Sequence, residues 1–538
     1  MEDDEARFDL VHQPWLPVRL RDGTASEVGL KEALLQAHDI AGLNIEFPTQ
    51  EPALLRLLLA VCYRALEGPV DDDAWDALWM AETLPEERIT TYLDRWRERF
   101  DLFHPDSPFF QTPGLEAVGK DGVKPASKLI AHAPPANAPP IFTPITDAMS
   151  IVLGPADAAR WVVERHAWGT TSDKTGAKGN DQVRDGKDTP SIGHLGWIGF
   201  VAPVGRTLKE TLLMNLVPWS RTALVTTGPE DLPAWERPPT GPSRQTRPPL
   251  GTCDLFTWQG RRIRLYPEHR DGRLVVAKVL VCAGDDVQRE AIRTVDPHTG
   301  WRTKKQKDGR LTYLPSKARV GLQVWRGLSG LLALDESAER AGVLSWLAAI
   351  EERIGAQVAL LITAAEYGSM STTMDDFLSD RLDTAVAVLR GDNLEVATLA
   401  SDAASHAEQV VRALWNVANG PFLAYDQQHK RYAVPEGRAA QARAARDAIA
   451  EEFCGELDSP FRRFLVDLAT PSIRMSARSE WAEVVTGVAH NVARRSLVQL
   501  SATDAFLGAM AEGWFRANLA RSRAAFAPID TEAEEVLA

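Results

Sequence analysis

The segment HAEQVVRALWNVA, residues 406–418, decides the architecture of the end of the chain. Val410, Leu414 and Val417 recur at i, i+4 and i+7, which is the spacing of one face of an α-helix. The same spacing returns at Trp481, Val485, Val488 and Val492, and again at Phe506, Met510 and Trp514. From about Asp380 onward alanine is frequent and strand-like runs are missing. The pattern predicts amphipathic helices that pack as a C-terminal bundle.

The chain ahead of this region mixes strand-like and helix-like segments. WLPVRL (15–20) and RLVVAKVLVCAG (273–284) have strand character, whereas EPALLRLLLAVCYRAL (51–66) and TLKETLLMNLV (207–217) have helical spacing. We therefore predict an α+β fold. A large mixed α/β N-terminal domain is expected over residues 1–378, followed by a C-terminal four-helix bundle over residues 379–538.

Composition and charge limit the classes of protein to consider. The 538 residues are 44% hydrophobic and carry a formal net charge of −14, so any nucleic-acid contact must use local basic clusters. The four cysteines form no CxxC pair or zinc-like cluster, which predicts scattered buried thiols and no metal. The acidic N-terminus lacks the apolar core of a signal peptide, and no apolar run is long enough to span a bilayer. We expect a cytoplasmic protein without membrane contact.

The sequence offers no catalytic constellation. The motifs GxGxxG, GxxxxGK[ST], HExxH and GxSxG are all missing. His166 and Asp173 could form an acid/base pair, but no nucleophile or metal cluster accompanies them. Asp296 and His298 lie close together, yet two side chains do not make a metal site. We expect no enzymatic activity, no catalytic residue and no cofactor.

Two other features are candidates for contact with phosphates. Residues 166–189 read HAWGTTSDKTGAKGNDQVRDGKDT, a glycine-bearing stretch whose backbone can approach a ligand closely while Lys174 and Lys178 supply charge. The run GWRTKKQKDGR (300–310) brings Lys304 and Lys305 next to each other, and GRRIRLYPEHRDGR (260–273) is also basic. For residues 166–189 the competing interpretation is a mobile surface loop that buries nothing. For the two basic runs it is the edge of a hairpin that lysines protect from further pairing.

Five segments resemble, in collinear order, those of one known family. They are FDLVHQPWLPVRL (8–20), RFDLFHPDSPFFQTPGL (99–115), TLKETLLMNLVPW (207–219), DLFTWQGRRIRL (254–265) and TVDPHTGWR (294–302). The family is CasA, the large subunit of the type I-E CRISPR Cascade complex. The resemblance implies a non-enzymatic subunit that recognises a protospacer-adjacent motif in double-stranded DNA. It also implies help in opening the duplex for crRNA pairing and recruitment of a helicase-nuclease, with the other Cascade subunits and crRNA as partners.

The resemblance also implies which residues contact DNA. The family's glycine loop matches KTGAKGN, so Gly176, Ala177 and Gly179 are expected at the DNA motif, assisted at phosphates by Lys174 and Lys178. The family places a groove-probing lysine where this chain reads GDDVQREAI, which leaves Arg289 as the nearest basic residue. Duplex opening is expected at the end of LLITAAEYGSMSTTM (360–374), where the tip consists of Gly368, Ser369, Met370 and Ser371. An apolar Met370 could insert between base pairs.

One further segment is expected to meet RNA and a neighbouring subunit. The proline-rich stretch PPANAPPIFTP (134–144) corresponds to the family's loop at the crRNA 5′ handle, with Ile141, Phe142 and Thr143 at its tip. Two alternatives from other classes stay open. One is a standalone nucleotide-binding enzyme that uses the glycine loop, and the other is a scaffold that never touches DNA.

Overall fold

The computed structural model describes residues 6–131, 133, 151–335, 337–391 and 394–527. The chain forms two compact units. The first unit contains residues 1–321, 335–349 and 359–381, and the second contains residues 322–334, 350–358 and 382–538. This division differs from the predicted single boundary between residues 378 and 379, because two short earlier segments belong to the second unit.

The secondary structure of the described residues mixes strands and helices, as predicted. The strands are β1 (Leu16–Leu20), β2 (Ala25–Val28), β3 (Ile40–Leu43), β4 (Lys124–Pro125), β5 (Phe200–Val204), β6 (Thr246–Arg247), β7 (Arg261–Arg270), β8 (Arg273–Ala283), β9 (Asp286–Val287), β10 (Trp301–Lys305), β11 (Leu311–Pro315), β12 (Ala338–Glu339), β13 (Gln357–Tyr367), β14 (Met374–Ala385), β15 (Ala424–Asp426) and β16 (Arg431–Ala433). The helices are α1 (Leu30–Leu35), α2 (Gln50–Ala65), α3 (Asp72–Met80), α4 (Glu86–Trp96), α5 (Pro155–Trp168), α6 (His194–Ile198), α7 (Leu208–Asn215), α8 (Thr252–Phe256), α9 (Arg289–Val295), α10 (Leu328–Leu332), α11 (Gly342–Ala349), α12 (Glu351–Ile354), α13 (Val386–Leu389), α14 (Leu394–Asn419), α15 (Ala439–Asp467), α16 (Pro471–Thr503) and α17 (Ala505–Phe526).

The first unit is built from small sheets, antiparallel except for the parallel pair β6 and β9, and from short helices around a core rich in tryptophan. Its fully buried tryptophans are Trp15, Trp75, Trp168, Trp235 and Trp346. Strand β13 lies between β14 and β5, and its residues 360–365 are buried, so both faces of this strand are covered. Strands β7 and β8 form a long hairpin, as do the shorter β10 and β11. The stretch 193–205, which reads as one strand, begins instead with the short helix α6 before β5.

The second unit contains the predicted bundle of the long helices α14, α15, α16 and α17. On α14 the predicted face is confirmed, since Val410, Leu414 and Val417 are buried. On α17 the predicted face is wrong, because Phe506 is 60% exposed and the buried face carries Ala511, Phe515 and Leu519. That helix has apolar residues on two faces, and the face that carries the small Ala511 allows close packing. None of the described helices is long and apolar enough to cross a membrane.

Candidate functional site

The stretch that follows α5, residues 169–189, is here called the glycine loop, and a buried ion cluster holds its first part. The carboxylate of Asp173 accepts from Arg165 Nε at 3.0 Å and from Arg261 Nε at 2.9 Å, and Lys128 Nζ lies 3.5 Å away. Burial alone would raise the pKa of Asp173, but the charges of Arg165, Lys128 and Arg261 hold it well below its usual range. The carboxylate therefore stays ionised and ties α5, β7 and the loop together.

The middle of the glycine loop is paired on both sides. Gly176 donates its N–H to the carbonyl of Gly186 at 3.0 Å, and its own carbonyl accepts from Val118 N–H at 2.9 Å. Lys178 N–H donates to the carbonyl of Glu116 at 2.8 Å. The side chain of Ala177 is buried against Leu115, Leu280 and Cys282. The competing interpretation of this stretch as a surface loop that buries nothing is therefore wrong.

The four loop glycines serve different purposes. Only Gly179 and Gly186 have positive φ, at 90° and 73°. A Cβ on Gly176 would lie 2.7 Å from the carbonyl oxygen of Gly186, so this glycine permits close packing within the loop and not close approach of a ligand. Gly179 and its neighbour Lys178 are exposed at the tip, where Lys178 Nζ pairs with Glu116 at 2.8 Å. An ion pair this exposed is weak and leaves the ammonium available to another anion.

The glycine loop is fastened to the turn that follows β13, residues 368–371, here called the 368–371 turn. Thr171 donates its N–H to the carbonyl of Ser371 at 2.9 Å, and its hydroxyl donates to the carbonyl of Met370 at 2.7 Å. A third hydrogen bond joins the residues that precede the two elements, since the hydroxyl of Tyr367 donates to the carbonyl of Trp168 at 2.7 Å. Two segments about 200 positions apart in sequence thus form one surface.

The 368–371 turn presents its methionine in an unusual conformation. Met370 and Ser371 both have positive φ, at 55° and 57°, which costs free energy for residues with a side chain. Met370 is 80% exposed, although its side chain is apolar. A Cβ on Gly368 would lie within 2.6 Å of the side-chain oxygens of Asp375 and Thr373, which would have to move to admit it. The turn thus holds an apolar side chain in solvent in a backbone conformation that costs free energy.

Among the other predicted DNA contacts, Arg289 lies against a tryptophan ring. The guanidinium of Arg289, exposed at the start of α9, lies 5.0 Å from the centre of the Trp197 ring. Trp197 lies in α6, shortly after the glycine loop, and its ring is 5.7 Å from that of Trp301. Trp301 begins β10, whose far end carries the exposed Lys304 and Lys305. Lys174 is half-buried in the glycine loop.

The remaining candidates are the tip of the proline-rich stretch and the second basic run. Ile141, Phe142 and Thr143 lie outside the described residues. Arg261 and Arg262, in the second basic run, are almost fully buried in ion pairs with Asp173 and Asp285 and cannot meet a phosphate at the surface. Sequence reasoning missed Thr171 and Tyr367, because nothing in either residue type shows which distant carbonyl its hydroxyl contacts.

The candidate acid/base groups have structural tasks. His166 is buried with Nε2 2.9 Å from the carbonyl oxygen of Phe110, and burial lowers its pKa to about 3. Asp296 forms a buried ion pair with Arg56 at 2.7 Å and accepts the N–H of His298. The four cysteines are free and buried, as predicted. Among the residues that the structure describes, no three His, Cys, Asp or Glu side chains are grouped to hold a metal ion.

Comparison with known proteins gives the family. Residues 9–492 match the family described as CRISPR-associated protein Cse1. The crystal structure of Cse1 from Acidimicrobium ferrooxidans is 52% identical, with a TM-score of 0.92 over 98% of this chain and 100% of that one. CasA/Cse1 of Thermus thermophilus is 36% identical over 268 residues, and this match spans about half the length of that curated relative and 49% of this chain.

A more distant likeness concerns the fold alone. A chain of a CRISPR RNA-guided surveillance complex is 20% identical, with a TM-score of 0.65 over 92% of this chain and 99% of that one. The family match covers most of the chain and agrees with the α+β architecture and its helical bundle. The chain belongs to the Cse1 (CasA) family of CRISPR-associated proteins.

Proposed function

We propose that this chain is the large subunit of an RNA-guided Cascade complex and that the glycine loop and the 368–371 turn together contact target double-stranded DNA. The loop tip reads a short motif beside the target, and the turn helps open the duplex for crRNA pairing. The other Cascade subunits and crRNA are its partners in assembly, and a helicase-nuclease is recruited to the complex. The chain itself carries out no catalytic step.

The observation that carries this proposal is the pair of hydrogen bonds from Thr171 to Met370 and Ser371. A motif reader and a duplex opener must act on adjacent base pairs, so a rigid connection between them is useful. Lys178 and Gly179 are exposed at the loop tip, where an ammonium can meet a phosphate and a bare backbone can enter a narrow groove. The exposed Met370 is the kind of apolar side chain that unstacks base pairs.

A standalone nucleotide-binding enzyme has less support. Such an enzyme needs free backbone N–H groups or an accessible acid/base group near the phosphate. In the glycine loop the N–H groups of Gly176 and Lys178 already donate within the protein. His166 is buried, and Asp173 is held by three cations. Net acidity with local basic residues agrees better with a subunit that binds nucleic acid only at chosen points.

The test compares two glycines with the same backbone conformation. Gly179 and Gly23 both have φ of 90°, and Gly23 lies in the turn between β1 and β2. Substitution by aspartate adds the same charge at the same φ in both, although a Cβ on Gly179 would lie 3.2 Å from Pro242 whereas one on Gly23 would meet nothing within 4 Å. In the assembled complex, Gly179→Asp should weaken motif-dependent binding of duplex DNA by about 1–3 kcal/mol, the scale of one lost specific contact. Gly23→Asp should leave that binding unchanged.

Assembly must be measured beside binding in this comparison. The proposal requires that both variants enter the crRNA complex at wild-type yield. If Gly179→Asp binds DNA as the wild type does, the loop tip does not read DNA, and the scaffold interpretation is favoured. If Gly179→Asp no longer assembles, the loop has a structural role in the complex and the motif-reading proposal is wrong for this residue.

A further inference from the structure

The first unit contains a cavity that the proposed DNA surface does not use. Its volume is about 310 Å³, and it lies between residues 108–111, 234–247 and 259–262. Its walls include four arginines, Arg99, Arg237, Arg247 and Arg262. A volume of this size is at the lower end of the range for small-molecule sites. The cavity therefore has room for a small ligand, and its wall chemistry indicates which kind.

The arginines of the cavity outnumber the carboxylates that neutralise them. Asp254 pairs with both Arg237, at 2.7 Å, and Arg247, at 2.5 Å. Asp285 pairs with Arg262 at 2.6 Å. Four guanidinium groups thus share two carboxylates, which leaves an excess of positive charge at the wall. An anionic ligand would balance that excess.

Arg99 and Arg237 are the arginines with capacity to spare. Arg99 donates to the carbonyls of Arg237 and Ala234, at 2.7 and 3.3 Å, which are neutral acceptors. Burial, and then the nearby charge of Arg237, lower the pKa of the Arg99 guanidinium. The Nε of Arg237 is buried without a hydrogen-bond partner. An unsatisfied donor on a charged group is costly, and an oxyanion in the cavity could accept from it.

The lining of the cavity also includes apolar side chains. Phe110, Pro238 and Pro239 line the cavity together with Trp235, whose ring is 6.4 Å from that of Phe110. Planar guanidinium groups match the geometry of phosphate oxygens, and flat apolar side chains suit a base or a sugar. We propose that this cavity binds the phosphate of a nucleotide, either free or at the end of a nucleic-acid strand. This site does not depend on the proposed reading of DNA at the glycine loop.

Equilibrium titration of the full chain with AMP tests this site, and adenosine is the matched probe without charge. Arg237→Gln removes one cation but also breaks the pair with Asp254. A second variant avoids that problem, because Gln245 lines the cavity with an exposed side chain and Gln245→Glu only adds negative charge. The control is Gln428→Glu, which adds the same charge at an exposed residue of the second unit.

We expect saturable binding of AMP at least tenfold tighter than that of adenosine. Gln245→Glu should weaken AMP binding at least fivefold, whereas Gln428→Glu should not change it. RNA trinucleotides with a 5′ phosphate or a 5′ hydroxyl distinguish a strand end from a free nucleotide. If the phosphorylated trinucleotide binds more tightly than AMP, the cavity is assigned to a strand end. If it binds equally or more weakly, the cavity is assigned to a free nucleotide. The proposal is overturned if AMP and adenosine bind alike, if neither binds, or if Gln245→Glu has no effect. None of these outcomes bears on duplex binding by the assembled complex.

Discussion

Met370 shows at the scale of one residue how the proposed site differs from an ordinary surface turn. An apolar side chain that is 80% exposed at positive φ serves neither the core nor the backbone. Replacement by glycine would remove the backbone strain, although the more flexible unfolded chain offsets part of the gain. Under the proposed function this side chain contacts DNA.

Met370→Gly should separate stability from function. We expect the free energy of unfolding to change by less than about 1 kcal/mol, because strain relief and chain entropy nearly cancel. The rate of duplex opening by the assembled complex should fall about tenfold, equivalent to the loss of one contact worth 1–2 kcal/mol. A fluorescent base analogue in the first target base pairs reports opening. An unchanged opening rate would contradict the assignment of this turn.

Glu164 gives a prediction on pH at the same scale. It is buried in α5 and accepts from the hydroxyl of Thr49 at 2.9 Å, and burial raises its pKa from 4.5 to about 7. The folded protein therefore binds more protons than the unfolded chain between these values, and stability falls as the pH rises through them. The full effect is about 3 kcal/mol, from roughly 1.4 kcal/mol for each pKa unit.

Glu164→Gln mimics the protonated carboxyl and keeps an acceptor for Thr49. The variant should be more stable than the wild type by up to about 3 kcal/mol near pH 8 and nearly equal to it near pH 4. Chemical denaturation at the two pH values measures the difference. The exposed Glu32→Gln on α1 serves as the control for the substitution itself. An equal effect of Glu164→Gln at both pH values would contradict a raised pKa.

At the scale of elements, the connection between the glycine loop and the 368–371 turn is the main finding. Thr171→Val removes the bond from its hydroxyl to Met370 but keeps the bond from its N–H to Ser371. Loss of one such hydrogen bond should cost about 1 kcal/mol of stability. We expect duplex opening to slow while initial binding to the DNA motif is retained, since the loop tip itself is unchanged.

The control for this variant is Thr294→Val. The hydroxyl of Thr294 also donates to a backbone carbonyl, that of Ala291, but at the exposed end of α9. Both variants exchange the same atoms, so only the contact with the 368–371 turn differs. Equal effects of the two variants on the ratio of opening to binding would show that the two elements act independently.

The elements also show how far the sequence alone leads. The periodicity on α14 is read correctly because its apolar residues lie on one face. On α17 apolar residues occupy two faces, and only the packing decides which of them is buried. The interpretation of the glycine loop as a surface loop that buries nothing is wrong, because the partners of Asp173 come from α5, β7 and the segment before α5. Such long-range pairing leaves no local pattern in the sequence.

At the scale of the whole molecule, two short segments outside the predicted bundle belong to the second unit. Trp325 is fully buried there, stacks on Phe461 at 4.7 Å and donates to Asp458 at 3.1 Å. Trp325→Ala should therefore destabilise this unit by about 3–5 kcal/mol, the usual cost of truncating a buried aromatic side chain. Trp514→Ala is the control, because Trp514 is 39% exposed on α17 and should cost far less. Thermal unfolding of the two variants makes the comparison, and equal losses would place segment 322–334 outside the bundle core.

The α+β class and the bundle follow from composition and periodicity, and the family follows from five collinear segments. The proposed DNA surface does not follow from either, because Thr171 and Met370 meet only after folding.

The most direct measurement uses the remaining Cascade subunits and crRNA, with and without this chain. The DNA is a set of duplexes that share one protospacer and differ in a randomised adjacent trinucleotide. We predict that the chain makes binding depend on the trinucleotide and that Gly179→Asp removes this dependence while Gly23→Asp keeps it. Binding that ignores the trinucleotide, or that is the same without the chain, would contradict the account.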